Sequence, residues 1–117
     1  MPTPPHLEVR RLSGETVVRF VGLNRLDEHN SHAPRKELSR LAERLTACRL
    51  VLDLANICFV TGSALGWLVG LNRRVRSAGG RLVLANLRPA VAEVLAVTHL
   101  DRVLEVRPTL PRTSLSA

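Results

Sequence analysis

The chain has 117 residues, 45% of them apolar, which is enough for one folded domain with a single core and too little for two. Seventeen basic residues against ten acidic ones give a formal charge of +7, an excess that attracts nucleic acid, anionic membrane or an acidic protein partner. Sixteen of the bases are arginine, scattered from Arg10 to Arg112, and Phe20, Phe59 and Trp67 are the only aromatic residues, so the composition argues against direct nucleic-acid binding.

Residues 1–6 are proline-rich, without the basic and apolar blocks of a signal sequence, and no apolar run has the length of a membrane span. They read as a flexible tail on a cytoplasmic, reduced protein. Residues 7–12 and 16–21 are alternating or β-branched and are split by Ser13-Gly14, a hairpin signal. Residues 22–30 are polar and turn-rich. Ser31 can then cap a helix that tolerates Pro34 in its first turn and buries Leu38, Leu41 and Leu45, with Lys36, Arg40, Glu43 and Arg44 on the solvated side.

Residues 50–54 form a nearly continuous apolar run of strand length, whose only charge is Asp53, and this suits a central parallel strand. Ser63 stands where a helix N-cap is expected, and the buried pattern Ala64, Leu68, Leu71, Val75 begins at once. Gly79-Gly80 supplies left-handed conformations for the helix stop. Residues 81–86 follow as a buried strand. Pro89 opens a third helix with Val91, Val94 and Leu95 inward, and residues 103–106 add a short last strand or a docking segment. Residues 107–117 read as a mobile tail. Strands alternating with helices imply right-handed crossovers and a partly parallel sheet, made mixed by the opening hairpin. The expectation is a single α/β domain over residues 7–106, with four to five strands and about three helices. Cys48 and Cys58 match neither a zinc framework nor a redox pair and read as core or near-core residues.

At 100° per residue, Ser63, Gly66, Trp67, Gly70 and Arg74 fall on a face of the second helix distinct from its buried stripe. An indole, an arginine and two glycines that leave the backbone open suit a protein interface. The same glycines and indole could instead serve tight internal packing. A phosphate on Ser63 would meet free amide hydrogens and the positive end of the helix dipole, which makes Ser63 a candidate switch as well as a cap.

The order of these elements, residues 51–54, the segment FVTGSALG and the later AGGRLVLANL together resemble the STAS domain of bacterial anti-sigma factor antagonists, over about residues 7–106. The resemblance implies helices packed mainly on one face of the sheet. It also implies a partner, an anti-sigma factor that is itself a serine/threonine kinase. The family motif Asp-Ser-Ser-Gly-Leu-Gly falls on Thr61, Gly62, Ser63, Ala64, Leu65 and Gly66. That makes Ser63 the implied phosphoacceptor, Thr61 a second candidate hydroxyl, and leaves an uncharged residue where the family carries aspartate. The family loop Gly-x-Leu-Asp falls on residues 24–27, so Asp27 matches and Asn24 does not. The implied partner surface is Asp27, Gly62, Ser63, Gly66, Trp67, Gly70 and Arg74.

Catalysis finds little support. The nucleophile elbow G-x-S-x-G fails, because Thr61 and Leu65 stand where its glycines belong. His99 and Asp101 lack a signalled nucleophile. His29 and His32 could chelate a metal, but no third ligand has suggestive spacing. The reading is a non-catalytic binding module, without cofactor, metal, nucleic acid or membrane, monomeric or a weak homodimer. The alternative is an unphosphorylated STAS scaffold or small-ligand sensor.

Overall fold

The computed structural model describes residues 5–12, 14–27, 32–45 and 47–107. The strands β1 (His6–Leu12) and β2 (Glu15–Val21) form the antiparallel hairpin, and a two-residue strand β3 (Arg25–Leu26) precedes the helix α1 (His32–Arg44). Then come β4 (Arg49–Asp53), a second two-residue strand β5 (Phe59–Val60), the helix α2 (Gly62–Ser77) and β6 (Arg81–Ala85). The helix α3 (Pro89–Val97), a single 3-10 turn at Leu100–Arg102 and β7 (Glu105–Arg107) complete the described part. The main sheet has the order β1-β2-β4-β6-β7, and every pair after the hairpin is parallel. The apolar run at β4 therefore sits at the centre, as its composition requires. β3 and β5 form a separate parallel pair beside it.

The sheet extends one residue past each expected boundary, to His6 and to Arg107. Residues 1–4 and 108–117, read as tails, lie outside the described residues, as do His29 and the cap candidate Ser31. Cys58 is exposed rather than near the core, while Cys48 is half-buried. No described helix is long and apolar enough to cross a membrane.

Alternation along the strands divides the side chains between two faces. One face carries Val18, Phe20, Leu50, Leu52, Leu82 and Leu84, which pack with Leu38 of α1, Leu68 and Leu71 of α2 and Leu95 of α3 in the main core. Each such side chain contributes on the order of 2 kcal/mol through removal from water. The other face carries Val17, Val51 and Val83, aligned in register across β2, β4 and β6, with Ala85 and Leu12 beside them. Among the described residues no helix residue joins this second cluster, yet its valines are at most 4% exposed. Their cover is ionic. Arg107 reaches from β7 across β6 and β4 to Glu15 on β2, with both nitrogens 3.2 Å from the carboxylate, and Arg49 completes the cluster at 2.7 Å. Arg81 and Glu105 pair at 2.6 Å on the same side. Burial pushes the Glu15 carboxyl up, but hydrogen bonds and charge from Arg107 and Arg49 outweigh it and hold the group below its ordinary value.

The connection from α2 to β6 is made by two glycines with different tasks. Gly79 is left-handed at φ 83°, and the amides of Gly79 and Gly80 close on the carbonyls of Arg76 and Val75. Gly80, expected to be left-handed too, does not have a positive φ. It is needed for space, since a Cβ there would overlap the Cys48 carbonyl oxygen and lie 3.1 Å from the Cys48 nitrogen.

Asp53 ends the central strand with a carboxylate only 1% exposed. It accepts from Arg19 Nε and Nη2 at 3.1 and 3.0 Å, from the Ala55 amide at 3.0 Å and from Asn86 Nδ2 at 3.1 Å. Only the carboxylate of this pair is buried, since the Arg19 side chain is 37% exposed, and removing the arginine leaves that buried charge without its counter-ion. Arg19→Met is therefore expected to cost about 3 kcal/mol in urea unfolding, and Asp53→Asn in the Arg19→Met background should recover part of that loss. The Glu15 carboxyl, held below its ordinary value in the fold, gives stability that is present above that ordinary value and drains away as the pH falls through the lowered one. Melting temperatures of the wild type should thus fall more steeply below that pH than those of Glu15→Gln.

Candidate functional site

The first turn of α2 stands beside the β3–β5 pair. The Thr61 amide donates to the Leu26 carbonyl at 3.0 Å and the Cys58 amide to the Asn24 carbonyl at 2.7 Å, so the loop before α1 is fastened to the entry of α2. Thr61, held extended at φ −81° and ψ 166°, is the N-cap, and its hydroxyl accepts from the Ala64 amide at 3.2 Å. This corrects the sequence expectation for Ser63. Ser63 is the second residue inside the helix, is exposed and does no capping. The tie to Leu26 fixes Thr61 in the extended conformation a cap requires, and Gly62 is already helical. α2 has no acidic residue in its first turn, so no side-chain charge there offsets the positive end of its dipole.

The expected buried stripe is buried in full: Ala64, Leu68, Leu71 and Val75 all belong to the main core. On the other face Gly66, Gly70 and Arg74 are exposed and Trp67 is half-buried. A Cβ added at Gly62, Gly66 or Gly70 would meet nothing within 4 Å, which removes tight internal packing as the reason for those glycines. Trp67 is flanked by α1, where the Arg35 guanidinium lies 5.1 Å from the ring centroid. Arg35 also donates to the Asp27 carbonyl at 3.4 Å.

Between α1 and α2 runs an open groove of about 460 Å³ lined by His32, Arg35, Lys36, Ser39, Ser63, Trp67 and Arg74. It unites three residues of the expected partner surface, Ser63, Trp67 and Arg74, with four from α1. Lys36, read as ordinary solvated surface, is exposed but faces this groove. Asp27 is not displayed. It is buried, and its carboxylate pairs with Arg25 at 3.3 Å. Two residues that the sequence did not single out as site residues lie close by, Arg25 and the exposed Phe59, with the guanidinium 5.7 Å from the ring centroid. Their strands are two residues long, too short for any periodicity to show. Among the described residues, no group of three or more His, Cys, Asp or Glu is placed to hold a metal ion.

Residues 6–112 match the STAS domain family. The chain is 26% identical over 100 residues to the anti-sigma F factor antagonist of Paenibacillus polymyxa, covering 86% of this chain and 84% of that one. Among solved structures it is similar to an anti-sigma-factor antagonist (STAS) domain protein from Planctomyces limnophilus, with a TM-score of 0.83, 24% identity and coverage of 95% and 97%. It is also similar to the Bacillus cell fate determinant SpoIIAA in its phosphorylated form, with a TM-score of 0.66, 19% identity and coverage of 94% and 96%. At such identities these two structures speak for the fold.

Because Thr61 caps and Ser63 does not, Thr61→Ala should cost about 1 kcal/mol in chemical denaturation while Ser63→Ala stays within a few tenths. Gly66→Ala and Gly70→Ala, entering open space inside a helix, should each gain up to about 1 kcal/mol.

Proposed function

The chain belongs to the STAS domain family, and we propose that it acts as an anti-sigma factor antagonist: a non-catalytic module that captures an anti-sigma factor and so releases a sigma factor for transcription. The anti-sigma factor is a serine/threonine kinase, and Ser63 is the hydroxyl it modifies. The observation that carries this reading is the position of Ser63. It is exposed on the second residue of α2, relieved of capping by Thr61, on the lip of the groove beside Trp67. The curated relative from Paenibacillus polymyxa bears the antagonist's name, and a phosphorylated form of the similar SpoIIAA has been solved.

Association requires water to be stripped from the surface around Ser63. A phosphate there adds about −1.5 to −2 charges and three strongly hydrated acceptor oxygens. The first turn of α2 stabilises that dianion through its unpaired amides and dipole, so the modified domain stays folded. The partner meets a hydrated charge where it needs a dry contact. Thr61, half-buried and committed to the Ala64 amide, is the poorer acceptor of the two hydroxyls. Asp27 serves this surface from within, by holding Arg25 and, through its carbonyl, Arg35.

In titration calorimetry against the copurified anti-sigma kinase, Ser63→Ala should bind as the unmodified protein does and resist modification. Ser63→Asp should bind about tenfold more weakly or worse, a difference of about 1.4 kcal/mol. Equal affinities of the two variants, or a phosphate mapped to Thr61, would remove Ser63 from the switch.

A further inference from the structure

We propose that the groove between α1 and α2 is the seat of an acidic segment of the protein partner, whose carboxylates pair with Arg35, Lys36 and Arg74. The proposal rests on the functional reading above only for the identity of that partner. Among the described residues the charge of the groove is one-sided: its lining holds the basic side chains Arg35, Lys36 and Arg74 together with His32, and no carboxylate. On the four strands β2, β4, β6 and β7, by contrast, arginines meet counter-ions, as Arg49 and Arg107 do at Glu15, Arg19 at Asp53 and Arg81 at Glu105. Lys36 and Arg74 form no ion pair among the described residues. Two exposed cations beside a concave surface with no neutralising group form a field that a complementary chain can answer.

The dimensions favour an extended ligand. Ser63 and Arg74 are eleven positions apart on α2, which is about 16 Å along the axis. One phosphate-sized anion occupies only a part of that span, whereas a peptide bearing several carboxylates covers it. Arg35 lies over the Trp67 ring, so that ring face is not left open for a nucleic-acid base to stack on. On the outer side, Gly66 and Gly70 project no Cβ into the open space around them, so a second backbone can pass close to α2. Ser63 stands at one end of the groove, and a phosphate there would repel the incoming carboxylates and draw on the same cations.

Trp67 is the one tryptophan of the chain, so its fluorescence reports on the groove directly. The full chain is titrated with hexaglutamate, which spans about 20 Å when extended, and in parallel with hexalysine, inorganic phosphate and hexathymidylate. A saturable change is expected with hexaglutamate, weakening as salt is added, with none from hexalysine and a weaker response to the other two. The double variant Lys36→Glu/Arg74→Glu should bind hexaglutamate about tenfold more weakly at an unchanged melting temperature. Hexaglutamate affinity unaltered by the charge reversal would overturn the proposal. So would hexathymidylate or phosphate binding as tightly as hexaglutamate.

The same variant against the copurified anti-sigma kinase separates the two readings. Kinase binding unaffected by Lys36→Glu/Arg74→Glu but lost in Ser63→Asp overturns the acidic-segment proposal and keeps the switch. Hexaglutamate binding that depends on the two cations, with no anti-sigma factor bound by either form, supports the groove and rejects the antagonist reading.

Discussion

The arrangement of the functional end of this domain depends on one carboxylate. Asp53 sits at the last position of the central strand, removed from water, and its two oxygens collect donors from β2, from the turn that follows β4 and from the residue that follows β6. Three neighbouring segments are thereby fixed at the same level of the sheet. A buried charge tolerates little displacement of its partners, because the low dielectric that strengthens the bonds also penalises their loss. The turn from Ala55 leads within a few residues to β5 and the Thr61 cap, so the exposed Ser63 is placed by an interaction in which it takes no part. Asn86 holds a positive φ of 58°, a conformation that asparagine tolerates better than most residues, while its side chain answers Asp53.

What could be read from the chain follows from the length of each signal. The run at residues 50–54, the stripe Ala64, Leu68, Leu71, Val75 and the helix-opening Pro89 are repeated or strongly directional features, and the structure has a strand or a helix at each. The hairpin was marked by two alternating stretches around Ser13-Gly14. The cap was misplaced because Thr61-Gly62-Ser63 offers two cap-forming side chains two positions apart, and the choice falls to a backbone bond with Leu26, far away in sequence. Arg25 and Phe59 escaped for the same kind of reason. Their strands exist because each is the other's partner, and nothing local announces a two-residue pair. Lys36 looked like any solvated lysine on a helix surface, since its significance comes from α2 lying across the groove.

Charge on this molecule has two distinct uses. On the sheet face without helices, Arg49, Arg107 and Arg81 are matched with Glu15 and Glu105 beside the valines, so those charges are spent internally and their aliphatic stems supply cover. In the groove Lys36 and Arg74 meet no counter-charge among the described residues. The net charge of +7 describes neither situation, because it sums a neutralised lattice with an open field. This is why the scattered arginines of the sequence suggested no site, although the folded chain brings Arg35, Lys36 and Arg74 to one groove.

The bond between Arg107 and Glu15 joins residues 92 positions apart and crosses two intervening strands. During synthesis the hairpin, β4 and β6 all precede Arg107, so the valine row across them waits bare until the end of the domain has left the ribosome. Contacts of such sequence separation form late and are entropically expensive to close. Until that closure the nascent domain presents a β-branched surface to other growing chains, and its protection depends on a strand made after all the strands it shields.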